Sequence, residues 1–376
     1  MKISDVDIYC PGGHFQHGSV TFANGVIRSL DFDGPAVRNK GSRRKRLLVP
    51  GFIDIHVHGS CGRDFLEGEG AIRKASEGMA ANGVTTFLPT SAAAPRETII
   101  EALASLPETP GRGADAHSFH LEGPFINPLQ KGAQNPSFMR KPDVDELMAY
   151  AKASGDRISL VTVAPELEGS ENLVRYCTEN GIRTSIGHTL APFETAMKSF
   201  DWGVSISNHT YNAMGLFHHR KPGTVGAVLV SDKVYCELIA DMVHVSEGGI
   251  RLLLRSKSPD RIILITDAIM AQNAGDGRYR TDAFSFTAEG GVARLDDGTL
   301  AGSTLTMDQA LRNMCSFAPV DIETVIPMLT SNPASALGMT DRGLIDCGMR
   351  ADLVLLDEQM HVEETYGAGR KIFSGA

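Results

Sequence analysis

Eight short apolar runs recur through the middle of this chain, and each is followed by a polar or glycine-containing turn. The runs lie at residues 52–57, 85–89, 118–121, 158–163, 183–186, 204–207, 236–240 and 262–265. Helix-like stretches lie between several of them, at residues 70–81, 98–106, 144–153, 170–180, 193–200 and 245–255. Strands that alternate with helices predict a parallel sheet. Eight such units in about 220 residues predict a closed (β/α)8 barrel, the TIM-barrel arrangement of the α/β class.

A doubly wound open sheet is the alternative architecture for this pattern. Such a sheet usually has fewer strands and a glycine-rich phosphate-binding turn after the first strand. Here the first run ends instead in His56-Val57-His58-Gly59. The barrel is therefore the favoured prediction, and residues 306–317 and 322–337 are predicted to be helices that close it.

The two ends of the chain have a different pattern of apolar runs and turns from the middle. Near the start, short strand-like runs are separated by glycine-containing turns such as Gly12-Gly13. Near the end, the apolar run at 353–356 has a similar character. We predict that residues 1–49 and 346–376 pair into one small β domain, which leaves residues 50–345 as the barrel.

The composition of the 376-residue chain is that of a soluble globular protein, with 42% hydrophobic and 22% charged residues. A net charge of -9 argues against nucleic acid as the main partner, because a phosphate backbone requires a basic surface. No apolar run approaches the roughly 18 residues that a membrane-spanning helix needs, so no membrane association is expected. The six cysteines are widely spaced without a CxxC pair, which predicts reduced thiols and a cytoplasmic location.

Histidines and carboxylates fall where the predicted barrel strands end. In a (β/α)8 barrel these ends meet on one face, where active sites are built. A His-x-His pair alone is a weak signal, since a lone buried histidine is more often a hydrogen-bonded core residue. Residues i and i+2 of a strand nevertheless point to the same side, and six candidates on one face favour a metal centre. The predicted ligands are His56, His58, Glu122, His188, His209 and Asp267.

Imidazole and carboxylate ligands suit a divalent metal ion, with zinc as the first expectation and iron, manganese or cobalt as alternatives. Such an ion polarises a carbonyl and provides hydroxide as a nucleophile. Asp267 is placed to act as general base and acid, taking the proton from water and passing it to a leaving amine. Six ligands exceed the needs of one open catalytic ion, so one or two ions per subunit are expected. Residues 158–163 lack the lysine that bridges two metals in many barrel hydrolases, which supports Glu122 as the bridge.

Seven segments spread over nearly the whole chain resemble the amidohydrolase superfamily and, within it, the N-acetylglucosamine-6-phosphate deacetylases. The segments are 50–59, 120–125, 187–189, 209–214, 240–244, 266–268 and 300–307. The first, PGFIDIHVHG, is typical of the superfamily as a whole, whereas the combination is specific. The resemblance implies a barrel with a small β-sandwich made by both chain ends. It also implies hydrolysis of the N-acetyl group of a hexosamine 6-phosphate, which gives acetate and the free amino sugar phosphate.

The resemblance assigns roles to individual residues. Glu122, His188 and His209 match the metal ligands common to the family. His56 and His58 match the ligands of members that hold a second ion, and Asp267 matches the catalytic acid/base. The positions that correspond to substrate contacts are Ala133, Gln134, Asn212, Ala213, Arg220, His244, Leu300, Ala301 and Gly302.

The resemblance also implies phosphate binding at His244 and at Arg220, with Arg220 reaching the active site of the neighbouring subunit in a homodimer. Arginine can bind phosphate through two parallel hydrogen bonds. The loop His218-His219-Arg220-Lys221 is strongly cationic within an acidic protein, which agrees with this role.

Gln134 is a departure from the family pattern, because some members have histidine there to help polarise the acetyl carbonyl. Glutamine donates a hydrogen bond through its amide but cannot carry a charge. Two other substrates stay open, N-acetylgalactosamine 6-phosphate and an N-acyl amino acid or cyclic amide. A non-catalytic barrel used for assembly would be expected to have lost ligands, and all six candidates are present. The native metal, the number of ions and the sugar epimer are not decided by the sequence.

Overall fold

The computed structural model describes residues 1–34, 46–281, 284–318 and 320–375 of the chain. Its strands, in chain order, are β1 Lys2–Cys10, β2 His14–Ala23, β3 Val26–Phe32, β4 Arg46–Pro50, β5 Phe52–Val57, β6 Gly59–Ser60, β7 Arg63–Asp64, β8 Val84–Ser91, β9 Asp115–Ala116, β10 Phe119–Glu122, β11 Ile158–Val163, β12 Arg183–Ile186, β13 Val204–Ser207, β14 Tyr235–Ile239, β15 Ile262–Ile265, β16 Gly277–Arg280, β17 Ser285–Glu289, β18 Val292–Leu295, β19 Leu300–Ser303, β20 Leu353–Asp357, β21 Val362–Gly367 and β22 Arg370–Ser374. Its α-helices are α1 Glu69–Ala80, α2 Arg96–Ala104, α3 Val144–Ser154, α4 Ser170–Glu179, α5 Phe193–Trp202, α6 Gly223–Val230, α7 Glu247–Ser256, α8 Met307–Phe317, α9 Ile322–Leu329 and α10 Ser331–Leu337.

Eight parallel strands form the barrel in the order in which they occur in the chain. They are β5, β8, β10, β11, β12, β13, β14 and β15, each paired with the next. The barrel closes where Val57, at the end of β5, pairs with Ala268, just after β15. The amide of Asp267 also donates to the carbonyl oxygen of His56 over 2.9 Å across this junction. All eight predicted strands are present and the (β/α)8 barrel is confirmed.

Burial explains why the apolar runs form strands and the intervening stretches form helices. Every residue of β5, β8 and β15 is buried, as expected for parallel strands covered on both faces. The helices are amphipathic, and α7, for example, buries Ile250 and Leu253 in the same core as the barrel strands. The helix predicted at 245–255 begins two residues later, because the Ser246 side chain accepts the amide of Gly249 and caps the helix there.

Both ends of the chain contribute to a seven-stranded sheet with the order β22-β21-β20-β4-β1-β2-β3. The rings of Phe22 on β2 and Tyr366 on β21 lie 5.7 Å apart, although three strands separate β2 from β21 in this order. A flat sheet would hold them roughly 19 Å apart at about 4.8 Å per strand. The sheet therefore folds over onto itself and encloses an apolar core, so the small β-sandwich is confirmed. The domain boundaries after residues 49 and 345 stay a prediction.

An antiparallel sheet of four strands, β16 to β19, lies between the last barrel strand and α8. It was not predicted, since its sequence is polar and rich in glycine turns. Its last strand contacts the barrel, because Ser303 pairs with Ala268 and its amide donates to the carbonyl oxygen of Asp267 over 2.8 Å. The helices α8, α9 and α10 then complete the barrel domain, as predicted. Among the described residues, no helix combines the length and apolar character needed to cross a membrane.

Candidate metal centre and substrate cavity

The six predicted ligands meet at the carboxyl end of the barrel. Each lies in the last two residues of a barrel strand or within two residues after it: His56 and His58 at β5, Glu122 at β10, His188 at β12, His209 at β13 and Asp267 at β15. The Nε2 atoms of His56 and His58 lie 3.3 Å apart, and those of His188 and His209 lie 3.1 Å apart. The positions of the strand ends therefore predicted correctly that these side chains, which are far apart in the sequence, lie close together.

Two groups of donor atoms share one carboxylate. The first group is His56, His58 and Glu122, and the second is Glu122, His188 and His209; within each group the donor atoms lie within 4.8 Å of one another. Oε1 of Glu122 lies 3.1 Å from Nε2 of His188 and 2.9 Å from Nε2 of His209. Oε2 lies 3.2 Å from Nε2 of His58. Oε1 also lies 3.3 Å from Nε2 of His56. The Glu122 carboxylate therefore contacts imidazoles of both groups, as a bridge between two ions would.

Acceptors hold the far sides of two imidazole rings, those of His56 and His188, whereas Nδ1 of His209 is buried without a hydrogen-bond partner among the described residues. Nδ1 of His56 lies 3.0 Å from Oε2 of Glu237, and Nδ1 of His188 lies 2.7 Å from the backbone oxygen of Gln130. These acceptors favour the N–H at Nδ1, which leaves the lone pair of Nε2 facing the other ligands. Metal-binding histidines are oriented in the same way. The donor set of imidazole nitrogens and carboxylate oxygens therefore fits a divalent ion on either side of Glu122.

Three of the ligands have a backbone conformation that is uncommon for residues other than glycine. The φ angles of His188, His209 and Asp267 are 46°, 23° and 48°. Such conformations cost on the order of 1–3 kcal/mol each and persist where the surrounding structure imposes them. The amide of His209 donates to Oε2 of Glu237 over 3.0 Å, which helps to hold that turn. The sharp turns after the strands aim the side chains into the mouth of the barrel.

Burial and mutual pairing set the charges of the ligands. Burial alone would lower the pKa of His58, but hydrogen bonds to the carboxylates of Asp267 and Glu122 raise it to about 9. Burial acts the other way on Glu122, yet the imidazoles of His56 and His188 hold the pKa of this carboxyl well below its usual range. A cation that binds here has to displace protons from the imidazoles. Metal affinity is therefore expected to rise with pH.

The candidate centre borders a cavity of about 1030 Å³. Five of the six ligands line it, whereas His56 is fully buried behind them. Eight of the nine predicted substrate-binding residues line the same cavity: Ala133, Gln134, Asn212, Ala213, His244, Leu300, Ala301 and Gly302. The last three belong to β19, so the unpredicted four-stranded sheet forms part of the wall. The volume is that of a small-molecule site.

Gln134 is held firmly beside the centre by both ends of its amide. Its Oε1 accepts the amide of Ala93 over 2.7 Å, and its Nε2 donates to Oε2 of Glu122 over 2.8 Å. On the other side, Nδ2 of Asn208 donates to Oε1 of Glu122 over 2.7 Å. One amide therefore fixes each oxygen of the Glu122 carboxylate.

His244 faces the cavity with its imidazole held by an acid. Its Nδ1 lies 2.6 Å from Oδ2 of Asp241, and its amide donates to Oδ1 of the same residue over 2.8 Å. Burial lowers the pKa of His244, but the bond to Asp241 outweighs burial and raises the pKa above the ordinary value. A protonated His244 suits an anionic group in the cavity.

Arg220 does not reach the cavity of its own chain. It lies in an exposed loop, where its guanidinium is 2.8 Å from Nε2 of His219. Two apolar neighbours in this loop are also exposed, Leu216 at 94% and Phe217 at 59%.

Three buried polar residues near the ligands were missed in the sequence. Glu237 on β14 contacts His56 as described above, and Asp54 on β5 accepts the hydroxyl of Thr266 over 2.6 Å. Burial raises the pKa of Asp54 to about 7, although the Thr266 hydroxyl lowers it. The third is His120 on β10, whose imidazole lies 2.8 Å from the hydroxyl of Thr162. Each lies between two apolar neighbours on a barrel strand, and that interruption was the available signal. Two cations that line the cavity, Lys131 and Arg280, were also missed.

A closed barrel with this ligand set at its carboxyl end defines the class of protein. Residues 47–373 match the model of the Amidohydrolase family, and the chain belongs to this family of hydrolases. Within it, the chain resembles amino sugar phosphate deacetylases. It is 35% identical over 335 residues to the N-acetylglucosamine-6-phosphate deacetylase of Lysinibacillus sphaericus, covering 86% of this chain and 85% of that one. It is also 35% identical over 363 residues to the N-acetylgalactosamine-6-phosphate deacetylase of Escherichia coli O157:H7, covering 95% of both.

This chain is also similar to solved structures of N-acetylglucosamine-6-phosphate deacetylases. The crystal structure of N-acetylglucosamine-6-phosphate deacetylase from Thermotoga maritima matches with a TM-score of 0.91 and 35% identity over the whole of both chains. A variant of the N-acetyl-D-glucosamine-6-phosphate deacetylase from Mycobacterium smegmatis, in complex with N-acetyl-D-glucosamine-6-phosphate, also gives a TM-score of 0.91. That match has 30% identity and covers 100% of this chain and 99% of the other.

Proposed function

We propose that this chain is a divalent-metal-dependent deacetylase that hydrolyses N-acetylglucosamine 6-phosphate to glucosamine 6-phosphate and acetate. The observation that carries the proposal is that a metal-ligand cluster, Asp267 and His244 border one cavity. The relatives at 35% identity act on N-acetylated amino sugar 6-phosphates. The solved relative from Mycobacterium smegmatis was crystallised with such a sugar phosphate.

One or two ions per subunit are proposed, with zinc first and iron, manganese or cobalt as alternatives. The residues that would hold them are His56, His58, Glu122, His188, His209 and Asp267. When bound, such an ion polarises the acetyl carbonyl and acidifies water. The Glu122 carboxylate is the proposed bridge, held in place by the amides of Gln134 and Asn208.

Asp267 is the proposed general base and acid. Burial raises its pKa, but the nearby imidazoles of His56 and His58 outweigh burial and keep the pKa below the ordinary value. The carboxylate is therefore ionised at neutral pH and can accept a proton from the attacking water. It can then deliver that proton to the nitrogen of the amino sugar as the C–N bond breaks.

The cavity residues would orient the sugar phosphate. His244, protonated beside Asp241, is the proposed phosphate ligand within the subunit. Gln134 has a second amide N–H besides the one bound to Glu122, and it can donate to the acetyl oxygen. The remaining proposed contacts are Ala133, Asn212, Ala213, Leu300, Ala301 and Gly302.

Arg220 is proposed to complete the phosphate site of a neighbouring subunit in a homodimer. Its exposed position supports this role, because the guanidinium has no acidic partner in its own chain among the described residues. The exposed side chains of Leu216 and Phe217 beside it are suited to burial against a second copy. A cytoplasmic location is also proposed, since all six cysteines are unpaired.

The decisive experiment measures acetate release by the metal-loaded protein from a panel of acetylated hexosamines with and without a 6-phosphate. Turnover of N-acetylglucosamine 6-phosphate with little turnover of N-acetylglucosamine is expected. If no N-acetylhexosamine 6-phosphate is hydrolysed, the proposal is wrong. The same panel should include N-acetyl amino acids, the alternative substrates of a general amidohydrolase.

N-acetylgalactosamine 6-phosphate is the second candidate substrate. The similarity to the N-acetylgalactosamine-6-phosphate deacetylase of Escherichia coli O157:H7, which extends over 95% of both chains, favours its inclusion. A higher kcat/KM for the galacto epimer than for the gluco epimer would transfer the proposal to that sugar.

A further inference from the structure

Glu237 is a buried acid with no part in the chemistry proposed above. It lies in the middle of β14, between Cys236 and Leu238, and its side chain is fully buried. Placing a carboxylate in such a strand is costly unless partners compensate for the lost water. The contacts of Glu237 therefore indicate which interactions compensate for its burial.

The side chain of Glu237 makes two hydrogen bonds, one to each ligand group. Its Oε2 lies 3.0 Å from Nδ1 of His56, a ligand of the first group. The same oxygen accepts the backbone amide of His209, a ligand of the second group, over 3.0 Å. One buried oxygen thus contacts a residue on either side of the Glu122 carboxylate.

The second contact acts on a strained turn. His209 has a φ of 23°, a value that a residue with a Cβ rarely adopts. The next amide in the chain, that of Thr210, donates to the backbone oxygen of Glu237 over 2.9 Å. Glu237 therefore binds two consecutive amides and holds the turn that aims the His209 imidazole at Glu122.

Simple packing does not explain this arrangement. The other oxygen of Glu237, Oε1, is buried and has no hydrogen-bond partner among the described residues. A neutral residue would fill the same space without that desolvation cost. An acceptor oxygen at this place, in contrast, holds the proton on Nδ1 of His56 and leaves Nε2 free to bind a cation.

We propose that Glu237 is a positioning residue that orients one ligand of each metal group, His56 in the first and His209 in the second, and thereby ties the two ion sites together. This inference rests on the metal centre of the proposed function. Glu237 does not touch substrate or reacting atoms, and it acts only through the two histidines.

The test is a metal titration of the full chain after stripping with a chelator. Co²⁺ is added in competition with a chromophoric chelator, and the bound metal is counted by mass spectrometry. Of the one or two ions proposed, the two-site role of Glu237 requires two per wild-type subunit, and a single bound ion would contradict it. Glu237→Leu should weaken the binding of both ions by about 10–100-fold, the usual effect of losing a residue that hydrogen-bonds to a metal ligand. Glu237→Gln keeps an oxygen for both bonds but loses the charge, and should lie between wild type and Glu237→Leu, with about tenfold weaker binding.

A second background separates the two contacts. His56→Asn removes the first group, so the remaining ion reports on His188, His209 and Glu122. If Glu237 also positions His209, adding Glu237→Gln or Glu237→Leu to this background weakens that ion further and changes its Co²⁺ absorption spectrum. If the remaining ion binds equally well with and without Glu237, the two-site role is wrong.

Asp352→Asn is the matched control. Asp352 is also a buried carboxylate with one unpartnered oxygen, but its backbone oxygen accepts the amide of Gly51 at the opposite end of the barrel. The Asp352→Asn substitution should lower the stability of the fold and leave the affinities for both metal ions unchanged. Glu237→Gln keeps the shape of the side chain and should fold. If it binds both metal ions as tightly as the wild type, the inference is overturned, even if Glu237→Leu does not fold. A wild-type chain that binds no metal would instead overturn the proposed function, whereas two bound ions without acetate release would leave the role of Glu237 standing.

Discussion

At the scale of single residues, Glu122 is the centre of the site. Its two oxygens contact imidazoles from both ligand groups, and the amides of Gln134 and Asn208 each hold one oxygen. Because a carboxylate oxygen has two lone pairs, an amide hydrogen bond and a metal bond can share it. The glutamine that replaces the histidine of some family members thus has a visible structural role.

The role of Asp267 can be tested at the same scale. Asp267→Asn keeps the shape of the side chain but cannot accept the proton of the attacking water. We expect kcat to fall by about 10²–10⁴-fold, the usual contribution of a general base, with the metal content unchanged. Steady-state kinetics and metal analysis measure both quantities. Asp297→Asn is the control and should retain kcat, since Asp297 lines the same cavity but belongs to neither ligand group. A loss of kcat below tenfold in Asp267→Asn would contradict the assignment.

The pH dependence of substrate binding tests His244. Its pKa is raised by Asp241 against the effect of burial, so the cationic form persists to higher pH than for an ordinary histidine. Binding of the phosphate dianion is therefore strongest below that raised pKa and weakens as pH rises through it. KM measured from pH 7 upward should increase in the wild type. In His244→Asn it should be about 10-fold or more higher and nearly flat, because a charged hydrogen bond contributes about 1.5–3 kcal/mol.

The control for this pH profile is N-acetylglucosamine without phosphate. Its KM should show no such rise if His244 binds the phosphate. A parallel rise for both substrates would show that another group titrates, and the assignment of His244 would be wrong.

At the scale of elements, the end of β12 is packed too closely for any side chain at Gly187. A Cβ there would lie 2.5 Å from Cβ and 2.9 Å from Nδ2 of Asn208. Gly187→Ala should therefore displace Asn208 from Glu122 and lower the free energy of unfolding by about 1–3 kcal/mol. Denaturant unfolding and metal affinity should both show the change.

Gly70→Ala provides the matched glycine control. Gly70 lies in α1, and a Cβ there meets nothing within 4 Å. Replacing a helical glycine with alanine should raise the free energy of unfolding by about 0.5–1 kcal/mol. An unfolding free energy of Gly187→Ala equal to that of the wild type would contradict the packing argument.

The elements also show how far the sequence was informative. The barrel strands were predictable because burial on both faces requires runs such as those of β5 and β15. Their ends then predicted where the ligand side chains lie. The β16–β19 sheet was not predictable from periodicity, since its strands are only four or five residues long and partly exposed, too short for alternation to be distinctive. Glu237 was missed because a polar residue that interrupts an apolar strand does not show which side chains on other strands it contacts.

At the scale of the whole molecule, the ions are expected to contribute to stability. A ligand that binds only the folded state stabilises it by about 4 kcal/mol at a thousandfold excess over Kd. Stripping the metal should therefore lower Tm by several degrees in calorimetry. Since the pKa of His58 is about 9, protons compete with the metal below that value. The Tm difference between loaded and stripped protein should shrink as pH falls from 9 to 6, and a constant difference would contradict the proposed ligands.

Arg220 tests assembly and phosphate recognition together. If Arg220 completes the phosphate site of a neighbouring subunit, Arg220→Ala should raise KM for the sugar phosphate by about 10-fold or more with kcat less affected. Lys221→Ala, which removes the adjacent cation, is the control and should have a smaller effect. An unchanged KM in Arg220→Ala would remove the phosphate role. Mixing Arg220→Ala with Asp267→Asn should restore part of the activity, because a mixed dimer has one intact site.

The folded-over sheet has a consequence for how the chain is made. Leu353 pairs with Pro50, so one edge of β4 is covered by a strand that leaves the ribosome only after the entire barrel. Until then the early strands present an open edge and an uncovered apolar face, and both promote aggregation. The late strands therefore complete the cover of the early ones. A chain that stops before β20 contains all six proposed metal ligands but leaves β4 and the apolar face beside it uncovered. Such a chain is expected to be more susceptible to proteolysis.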